Sequence, residues 1–373
     1  GETYYLGSRW YSSSSTGSIP VKLSRRYTVS YDANGGSGAP SAQYKKYGES
    51  LTLSSVAPSR SGYEFVGWAA SSDSVSASYQ PGGTMTANGD YTLYAVWRAI
   101  TYTVSYDANG GSGAPAAQTK THGQSIALSS QLPTRLGYTF LGWAESANAP
   151  ASYYPRDTYS ANSAVKLYAV WEEGETVQTS SSASASVDIP FGGAVRYSKF
   201  VPEASGTYVF ASSGSADTYG QIYSSSGSSI VSDDDSGDGM NFMLTLDAVS
   251  GSTYYLAVKY MKSASTGSFD ISVKRQYTIT YNANGGGSAP EAQTKLHGET
   301  LTLSSDVPTR AGFNFLGWAT SSSAVSPSYT PGSSFTGNTS QTLYAVWSEY
   351  PTASAPRITV DTSIRDAKYV IIT

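Results

Sequence analysis

The sequence predicts a mainly β, multi-domain chain: a string of small repeated β units with a β-sandwich among them. The first observation is repetition. The phrase S-Y-D-A-N-G-G-S-G-A-P at residues 30–40 returns unchanged at 105–115 and slightly altered at 280–290. The second is composition, since 31 Tyr suit half-buried sheets while 37 Gly and 16 Pro suit turns. The third is length, because 373 residues exceed what one hydrophobic core usually supports.

Composition also argues against several classes of protein. Charged residues make up only 13% of the chain and the formal net charge is −4, whereas a nucleic-acid interface needs clustered Lys and Arg to neutralise phosphates. The absence of Cys excludes disulfides, thiolate metal sites and thiol nucleophiles. We find no leader pattern and no run of about 18 apolar residues that predicts a membrane span. If the protein is exported, we expect its signal and anchor to lie outside these residues.

Three modules superimpose when Tyr27, Tyr102 and Tyr277 are aligned. The predicted boundaries are residues 27–98 for repeat 1, 102–173 for repeat 2 and 277–349 for repeat 3. Six of the seven Trp occupy two positions of this template, namely Trp68, Trp143 and Trp318 in the first and Trp97, Trp171 and Trp347 in the second. Because their positions are fixed, we interpret these rings as core packing. The alternative is an exposed aromatic stripe that binds a partner.

The glycine phrase follows the first predicted strand of each repeat. In repeat 1, Tyr27, Val29 and Tyr31 alternate with Thr28 and Ser30, which is the period of a strand buried on one face. The dipeptide Asn-Gly at 34–35 then supplies the positive φ angles that a type I′ turn requires. The phrase therefore ends a strand and reverses the chain.

Two further strands are predicted in each repeat. The run E-S-L-T-L-S-S at 49–55 alternates and predicts a short second strand. In the closing strand Leu93, Ala95 and Trp97 face one way, and Tyr94 and Val96 the other. Since both faces are apolar, we expect a central strand, or one covered on its second face by a short helix or loop.

The region at 175–276 predicts a β-sandwich, because short apolar runs alternate with Ser-Gly turns about every ten residues. The polar stretch at 172–186 that leads into it is expected to be a flexible hinge. Residues 1–26 match 251–276 at a constant offset, which predicts the C-terminal part of another, truncated sandwich. Residues 350–373 are predicted to be a linker and the start of a further sandwich. The chain then is an interior piece of a longer string of modules; the alternative is that both ends are independent short strands.

The repeats resemble a known family, the Listeria-Bacteroides repeats. The motifs Y-[DN]-A-N-G-G, [PS]-x-R-x-G-[YF]-x-F-x-G-W-A and L-Y-A-V-W carry the resemblance in all three copies. It implies compact β-grasp-like units strung along secreted or wall-attached bacterial surface proteins, and it brings no catalytic residue with it.

The middle region resembles bacterial pre-peptidase C-terminal domains through its G-T-Y run, an Asp-rich loop and a late T-Y-Y-L strand. This resemblance implies a jelly-roll-like sandwich of the kind that accompanies secreted peptidases and, in some members, binds calcium. The residues that carry the calcium hypothesis are Asp217, Asp233, Asp234, Asp235 and Asp238.

Calcium is the cofactor that the acidic loop suggests, because closely spaced carboxylates are the hard oxygen ligands that Ca²⁺ prefers. The spacing D-D-D-S-G-D-G is not that of an EF-hand, since the 12-residue frame and its terminal Glu are missing. The alternative is a solvated turn, in which Asp, Ser and Gly are favoured anyway.

No catalytic constellation emerges from the sequence. His122 and His297 occupy equivalent positions, but repeat 1 has Tyr47 there, which cannot replace a catalytic histidine. The glycine phrase lacks the Lys-Ser/Thr ending of a P-loop and the G-x-G-x-x-G of a dinucleotide site. We therefore predict that this chain is not an enzyme.

Two functions remain open. In the first, the chain is a modular segment of a large secreted or cell-surface bacterial protein and acts as a spacer or stalk, and as an adhesive or fibre-forming scaffold. Its partners would be an extracellular protein or glycan, or further copies of itself. In the second, it is the targeting and spacing region of a secreted enzyme such as a peptidase, whose catalytic domain lies elsewhere. The expected location is extracellular or at the bacterial cell surface in both cases.

Overall fold

The computed structural model describes residues 6–9 and 11–351 and confirms the mainly β fold class. In that part of the chain there are 26 strands and no helix. The backbone forms two compact units. Of the described residues, the first comprises 6–9, 11–109, 114–131 and 142–169, and the second comprises 110–113, 132–141 and 170–351.

Repeat 1 is a four-stranded mixed sheet with a small two-stranded ladder beside it. Its strands are β1 (Arg26–Asp32), β2 (Gln43–Lys46), β3 (Leu51–Thr52), β4 (Tyr63–Ala69), β5 (Thr84–Met85) and β6 (Tyr91–Ala99). The sheet order is β2-β1-β6-β4, with β1 and β6 parallel at the centre, and β3 pairs with β5. A parallel central pair flanked by antiparallel edge strands is a grasp-like arrangement, and β6 is central, as its two apolar faces predict.

The glycine phrase makes the turn that the sequence predicts. Asn34 and Gly35 have φ angles of 46° and 84°, and the Gly36 amide donates to the Ala33 carbonyl at 2.9 Å. Gly36 is required for a different reason, since a Cβ there would lie 2.6 Å from both the Ser59 carbonyl oxygen and Cζ2 of Trp97. The glycine phrase therefore packs directly against the Trp97 ring of the closing strand.

The predicted second strand is only partly correct. Two residues of the run at 49–55 are in a strand, β3, and the antiparallel partner of β1 is β2, which the sequence analysis missed. Its sequence Q-Y-K-K is short and polar, yet Lys45 points into the repeat and is 2% exposed.

Repeat 2 repeats this topology. Its strands are β7 (Thr101–Asp107), β8 (Gln118–Thr121), β9 (Ile126–Ala127), β10 (Tyr138–Ala144), β11 (Thr158–Tyr159) and β12 (Val165–Glu173). The sheet order is β10-β12-β7-β8, with β7 and β12 parallel, and β9 pairs with β11.

The middle region is a two-sheet sandwich. Its strands are β13 (Glu175–Thr179), β14 (Ser182–Ile189), β15 (Arg196–Pro202), β16 (Gly206–Ser213), β17 (Thr218–Ser224), β18 (Ser229–Asp233), β19 (Met243–Ala248), β20 (Tyr254–Tyr260) and β21 (Gly267–Asn282). One sheet has the order β13-β15-β20-β17-β18, and in the other β21 lies between β14 and β16, with β19 beyond β16. The core between them includes Phe200, Tyr208, Phe210 and Phe242.

Repeat 3 has the same sheet as repeat 1 and shares a strand with the sandwich. Its own strands are β22 (Gln293–Leu296), β23 (Leu301–Thr302), β24 (Phe313–Ala319), β25 (Ser334–Phe335) and β26 (Gln341–Glu349). The first half of β21 pairs with β14 and β16, and its second half, from Gln276, pairs with β22 and β26. The sandwich and repeat 3 are therefore joined without a linker.

The other two junctions are also short. Between repeats 1 and 2 only Ile100 separates β6 from β7, and its amide donates to the Gly62 carbonyl at 2.9 Å. Between repeat 2 and the sandwich only Gly174 separates β12 from β13, and its amide donates to the Gly137 carbonyl at 2.9 Å. The expected hinge at 172–186 is wrong, because β13 and β14 are paired along their lengths with β15 and β21.

Each repeat is built around a fully buried tryptophan. Trp68, Trp143 and Trp318 are 0% exposed, which favours core packing over an exposed aromatic stripe. Tyr31 and Phe65 make edge contacts with Trp68, at ring-centroid distances of 4.8 and 5.0 Å. The second tryptophan position is partly buried, and Nε1 of Trp97 donates to the Ala33 carbonyl at 3.0 Å. The Trp97 ring therefore joins the closing strand β6 to the glycine phrase.

The structure does not test the two sandwich domains predicted at the ends of the chain. The described residues before Arg26 are exposed and form no strand; Val21 is 50% exposed, whereas its counterpart Ile271 in the sandwich is 7% exposed. The assignment of residues 1–26 to a second sandwich stays a prediction. Residues 352–373, which carry the predicted start of a further sandwich, lie outside the described residues.

The buried tryptophan generates a direct test of the repeat core. Replacing Trp68 with Ala in the whole chain removes an aromatic side chain from a small core and should cost about 3 to 5 kcal/mol. That loss approaches the whole stability of many small domains. We expect the near-UV circular dichroism of repeat 1 to be lost and an early melting transition to appear.

Tyr47→Ala is the control, since Tyr47 is 64% exposed and its loss should change stability by no more than about 0.5 kcal/mol. Near-UV spectra and melting curves of Trp68→Ala that superimpose on those of the parent would show that this ring is not the core.

Candidate functional site

The acidic loop of the sandwich follows β18, and Asp233 is its structural anchor. The Asp233 carboxylate accepts hydrogen bonds from the Ser236 hydroxyl at 2.6 Å, the Ser236 amide at 3.0 Å and the Met243 amide at 2.7 Å. Partial burial raises the pKa of Asp233, but these hydrogen bonds outweigh burial and leave the pKa below its ordinary value. This carboxylate therefore acts as a cap that closes the loop onto β19.

The neighbouring acids repel one another. Partial desolvation, followed by the negative charges of Asp234, Asp217 and Asp233, raises the pKa of Asp235. Asp238 contributes its backbone, because its carbonyl accepts a hydrogen bond from Nδ2 of Asn241 at 2.7 Å. Within residues 6–9 and 11–351, no three acidic or histidine side chains form a group that could hold a metal ion. Calcium binding by this loop stays a prediction.

The two histidines are each paired with a tyrosine of the first strand of their repeat. Nδ1 of His122 lies 2.9 Å from the Tyr102 hydroxyl, and Nδ1 of His297 lies 3.0 Å from the Tyr277 hydroxyl. A His-Tyr hydrogen bond orients both rings, and repeat 1 forms the same sheet with Tyr47 in the equivalent position.

Each repeat also buries one lysine. Lys45, Lys120 and Lys295 are 2%, 0% and 3% exposed. Their ammonium groups donate to the side-chain oxygens of Asn88, Asn162 and Asn338 at 2.6, 2.9 and 2.8 Å. The same Asn oxygens accept a backbone amide from Gly48, Gly123 and Gly298. Recurrence in all three copies indicates a structural lock between the second strand and the loop before the closing strand.

An arginine lies between the glycine phrase and an aromatic ring in every repeat. The guanidinium carbons of Arg60, Arg135 and Arg310 lie 4.0, 3.7 and 3.8 Å from the ring centroids of Tyr63, Tyr138 and Phe313. On the other side, a Cβ built on Gly35, Gly110 or Gly285 would be 3.6, 3.7 or 3.5 Å from the same carbon. We call this arrangement the arginine clamp.

In repeat 2 the arginine clamp opens into a cavity that the sandwich completes. The cavity has a volume of about 500 Å³ and is lined by Gly110, Gly111, Ser112, Thr134, Arg135, Leu136, Tyr197, Tyr223 and Gly227. A second cavity of about 200 Å³ shares Thr134, Arg135 and Tyr197 with it. We call the two together the junction groove.

Tyr197 is the most perturbed group in this groove. Burial, and then the nearby Tyr223, raise the pKa of Tyr197 to about 12. Its backbone is fixed, because the Tyr197 amide donates to the Thr139 hydroxyl at 3.1 Å. A concave site with convergent polar groups and a perturbed pKa is the default candidate for ligand binding.

Sequence reasoning did not find this groove. It singled out the five aspartates, which lie in the sandwich loop or, for Asp217, just before β17. The only signal for the groove was the arginine that each copy of P-[ST]-R-x-G-[YF] carries. Nothing in the sequence says that tyrosines of the sandwich lie beside one of those arginines.

Comparisons with known proteins agree with the repeat architecture. The profile of the Listeria-Bacteroides repeat domain matches residues 27–96, 102–170 and 277–346, which is more than half of the chain. A protein of Evansella cellulosilytica named "Putative membrane protein" is 34% identical over 146 residues, which is 39% of this chain and 21% of the relative. A "Putative Gly-rich membrane protein" of the same organism is 33% identical over 147 residues, 39% of this chain and 16% of the relative. The matches thus span about a fifth or less of these relatives.

Two crystal structures align with about a quarter of the chain. One is Aeromonas hydrophila PliG, a periplasmic inhibitor of g-type lysozyme, at 17% identity and a TM-score of 0.22, covering 27% of this chain and 95% of that one. The other is the pre-peptidase C-terminal domain of a Bacillus anthracis collagenase, at 14% identity and a TM-score of 0.23, covering 28% and 98%. Both TM-scores are low, and the description of the sandwich rests on its own strands. In the described part of the chain, no helix has the length and apolar character needed to cross a bilayer.

Two substitutions in the acidic loop are expected to change the stability of the sandwich in different directions. Asp233→Ala removes three hydrogen bonds and should cost about 1 to 3 kcal/mol at neutral pH. Because the folded pKa of Asp233 is lowered, this stabilisation is present above the ordinary carboxyl pKa and is lost as pH falls through the folded value. The folded pKa of Asp235 is raised, so Asp235→Asn should leave stability equal or slightly higher at neutral pH.

Urea unfolding of both variants at neutral and acid pH provides the measurement. An Asp233→Ala variant as stable as the parent at neutral pH, or one whose defect grows on acidification, would contradict the capping role.

Two substitutions around the buried lysine of repeat 2 test whether its charge or its packing matters for stability. Asn162→Ala leaves the buried Lys120 ammonium with only the Thr121 carbonyl, at 3.4 Å, as acceptor, and it should destabilise repeat 2 by about 1 to 3 kcal/mol. Lys120→Met removes the charge and keeps most of the volume, so it should cost clearly less. Thermal unfolding of the two variants distinguishes these costs. A larger loss from Lys120→Met than from Asn162→Ala would show that the ammonium itself stabilises the fold.

Proposed function

Because the chain belongs to the Listeria-Bacteroides repeat family, we propose that it is a non-enzymatic spacer segment of a large bacterial surface or secreted protein. Membership supports the surface location, as do the names of the Evansella cellulosilytica relatives, which describe membrane proteins. A spacer differs from a flexible tether in that neighbouring modules keep a fixed relation. The contacts between neighbouring modules are therefore the features that bear on this function.

The shared strand β21 carries the proposal. Its 16 residues pair with sandwich strands on one side of Gln276 and with strands of repeat 3 on the other. Bending between the two modules would break backbone hydrogen bonds of one module or the other, and each costs free energy when it is left unmade.

Close packing at the two glycine junctions supports the same role. A Cβ built on Gly62 would lie 2.3 Å from Cδ2 of His122, so the ring of repeat 2 fits directly onto this glycine. A Cβ built on Gly137 would lie 2.5 Å from Cε1 of Tyr255 in the sandwich. Equivalent glycines thus receive a ring from the module that follows, which limits rotation at both junctions.

The adhesive and fibre-forming roles expected from the sequence stay predictions. The second function, a targeting region of a secreted peptidase, has no observation in its favour beyond the sequence resemblance of the sandwich.

Distance measurements between spin labels test the spacer role. The chain lacks Cys, so Ser225→Cys in the sandwich and Thr320→Cys in repeat 3, both exposed, place two labels cleanly. We expect a single narrow distance distribution. Insertion of Gly-Gly-Ser between Arg275 and Gln276 is the control, and it should broaden the distribution. A parent distribution as broad as that of the insertion variant would overturn the proposal.

A further inference from the structure

We propose that the junction groove binds a saccharide that carries a carboxylate group, with Arg135 holding the carboxylate. This inference is independent of the spacer role, because a rigid segment needs no ligand. It follows from three features of the groove: an arginine with no acidic partner and a tyrosine hydroxyl with no hydrogen-bond partner among residues 6–9 and 11–351, and walls that include aromatic rings.

The positive charge of the Arg135 guanidinium favours an anionic ligand in the groove. Two arginines among the described residues pair with acids, Arg98 with Glu64 and Arg196 with Glu172. No carboxylate among the described residues pairs with Arg135. Its guanidinium lies between the Tyr138 ring and Gly110, and its N–H groups form the fork of donors that arginine presents to an anion. A planar carboxylate is the group that matches this fork of donors.

The polar groups around Arg135 suit hydroxyl-rich chemistry. Tyr197 is half-buried and its hydroxyl makes no hydrogen bond with any described residue, although it lines both parts of the groove. Like any tyrosine hydroxyl at neutral pH, it is protonated and can both donate and accept a hydrogen bond. Ser112 and Thr134, which also line the groove, add a pair of hydroxyls 3.2 Å apart. Neutral donors and acceptors of this kind are suited to sugar hydroxyls.

The walls suit the apolar faces of a sugar ring. Tyr197 and Tyr223 line the cavity of about 500 Å³, and Tyr138, Phe140 and Trp171 line the adjoining one of about 200 Å³. Pyranose rings present a face of C–H groups that packs on aromatic rings. The volume falls in the range of small-ligand pockets, about 300 to 1,000 Å³, and accommodates one or two sugar units.

The chain contains its own matched control. Repeat 3 has the same arginine clamp, in which Arg310 lies over Phe313 and beside Gly285. The lining of the groove includes Arg135 and not Arg310. Substituting either arginine removes the same cation–π contact, so only a difference between them reports on the ligand.

Titration of the whole chain with glucuronic acid, glucose and acetate, followed by NMR, tests the inference. We expect glucuronic acid to bind at one site and to shift resonances of Tyr197 and Gly110, whereas glucose and acetate each bind at least about tenfold more weakly. Arg135→Ala should weaken glucuronic acid binding at least about tenfold, and Arg310→Ala should not change it. Tyr197→Phe should weaken it severalfold while keeping the ring.

Any outcome other than the expected one contradicts the inference. Acetate that binds as well as glucuronic acid would mean a simple anion site, and glucose that binds equally would mean that Arg135 has no role. Equal losses from Arg135→Ala and Arg310→Ala would assign the effect to the fold. No spectral change with glucuronic acid up to its solubility limit, in a parent chain with an intact spectrum, would show that the groove has no such ligand.

Discussion

Strand β21 donates and accepts backbone hydrogen bonds for two modules at once, and this single constraint determines how the second compact unit is organised. Arg275 is at the crossover: its amide donates to the Ser181 carbonyl in the sandwich at 2.7 Å, and its carbonyl accepts the His297 amide of repeat 3 at 2.9 Å. One residue thus satisfies its backbone groups in two different modules. Because unmade backbone hydrogen bonds are costly in a folded protein, neither module can turn away without loss to the other.

The repeats themselves are held by aromatic rings because they are small. A module of about 70 residues buries a modest fraction of its surface, so one fully buried tryptophan supplies a large share of its apolar burial. The glycine phrase fits this core, since Gly36 has no side chain to separate the Ser59 carbonyl from the Trp97 ring. The side chain of Asn34 then joins the phrase to the closing strand by donating to the Ala95 carbonyl at 3.0 Å. Turn, ring and closing strand are therefore one packed unit.

Local patterns predicted the parts of the fold that local physics determines. Alternation located β1, Asn-Gly located the turn, and the two apolar faces of β6 placed it at the centre of the sheet. The polar strand β2 was missed because a lysine is ordinarily exposed, and the burial of Lys45 depends on Asn88, 43 residues away. The hinge expected at 172–186 was wrong for a related reason. Its Ser-Ala alternation resembles a flexible linker, but Ala183 and Ala185 pack on the sandwich core once β21 pairs with β14.

The junction groove could not be predicted from the sequence, since its repeat-2 lining and its sandwich lining lie more than 60 residues apart along the chain and only the fold brings them together. The spacer role depends instead on continuity of the backbone, and hydrogen exchange of the β21 amides measures that continuity most directly. The amides of Arg275 and Thr278, which donate to the Ser181 carbonyl and the Ser340 hydroxyl, should exchange as slowly as those of Val273 and Ile279 on either side. Fast exchange at Arg275 and Thr278 between two protected halves would reveal a joint in β21 and contradict the account.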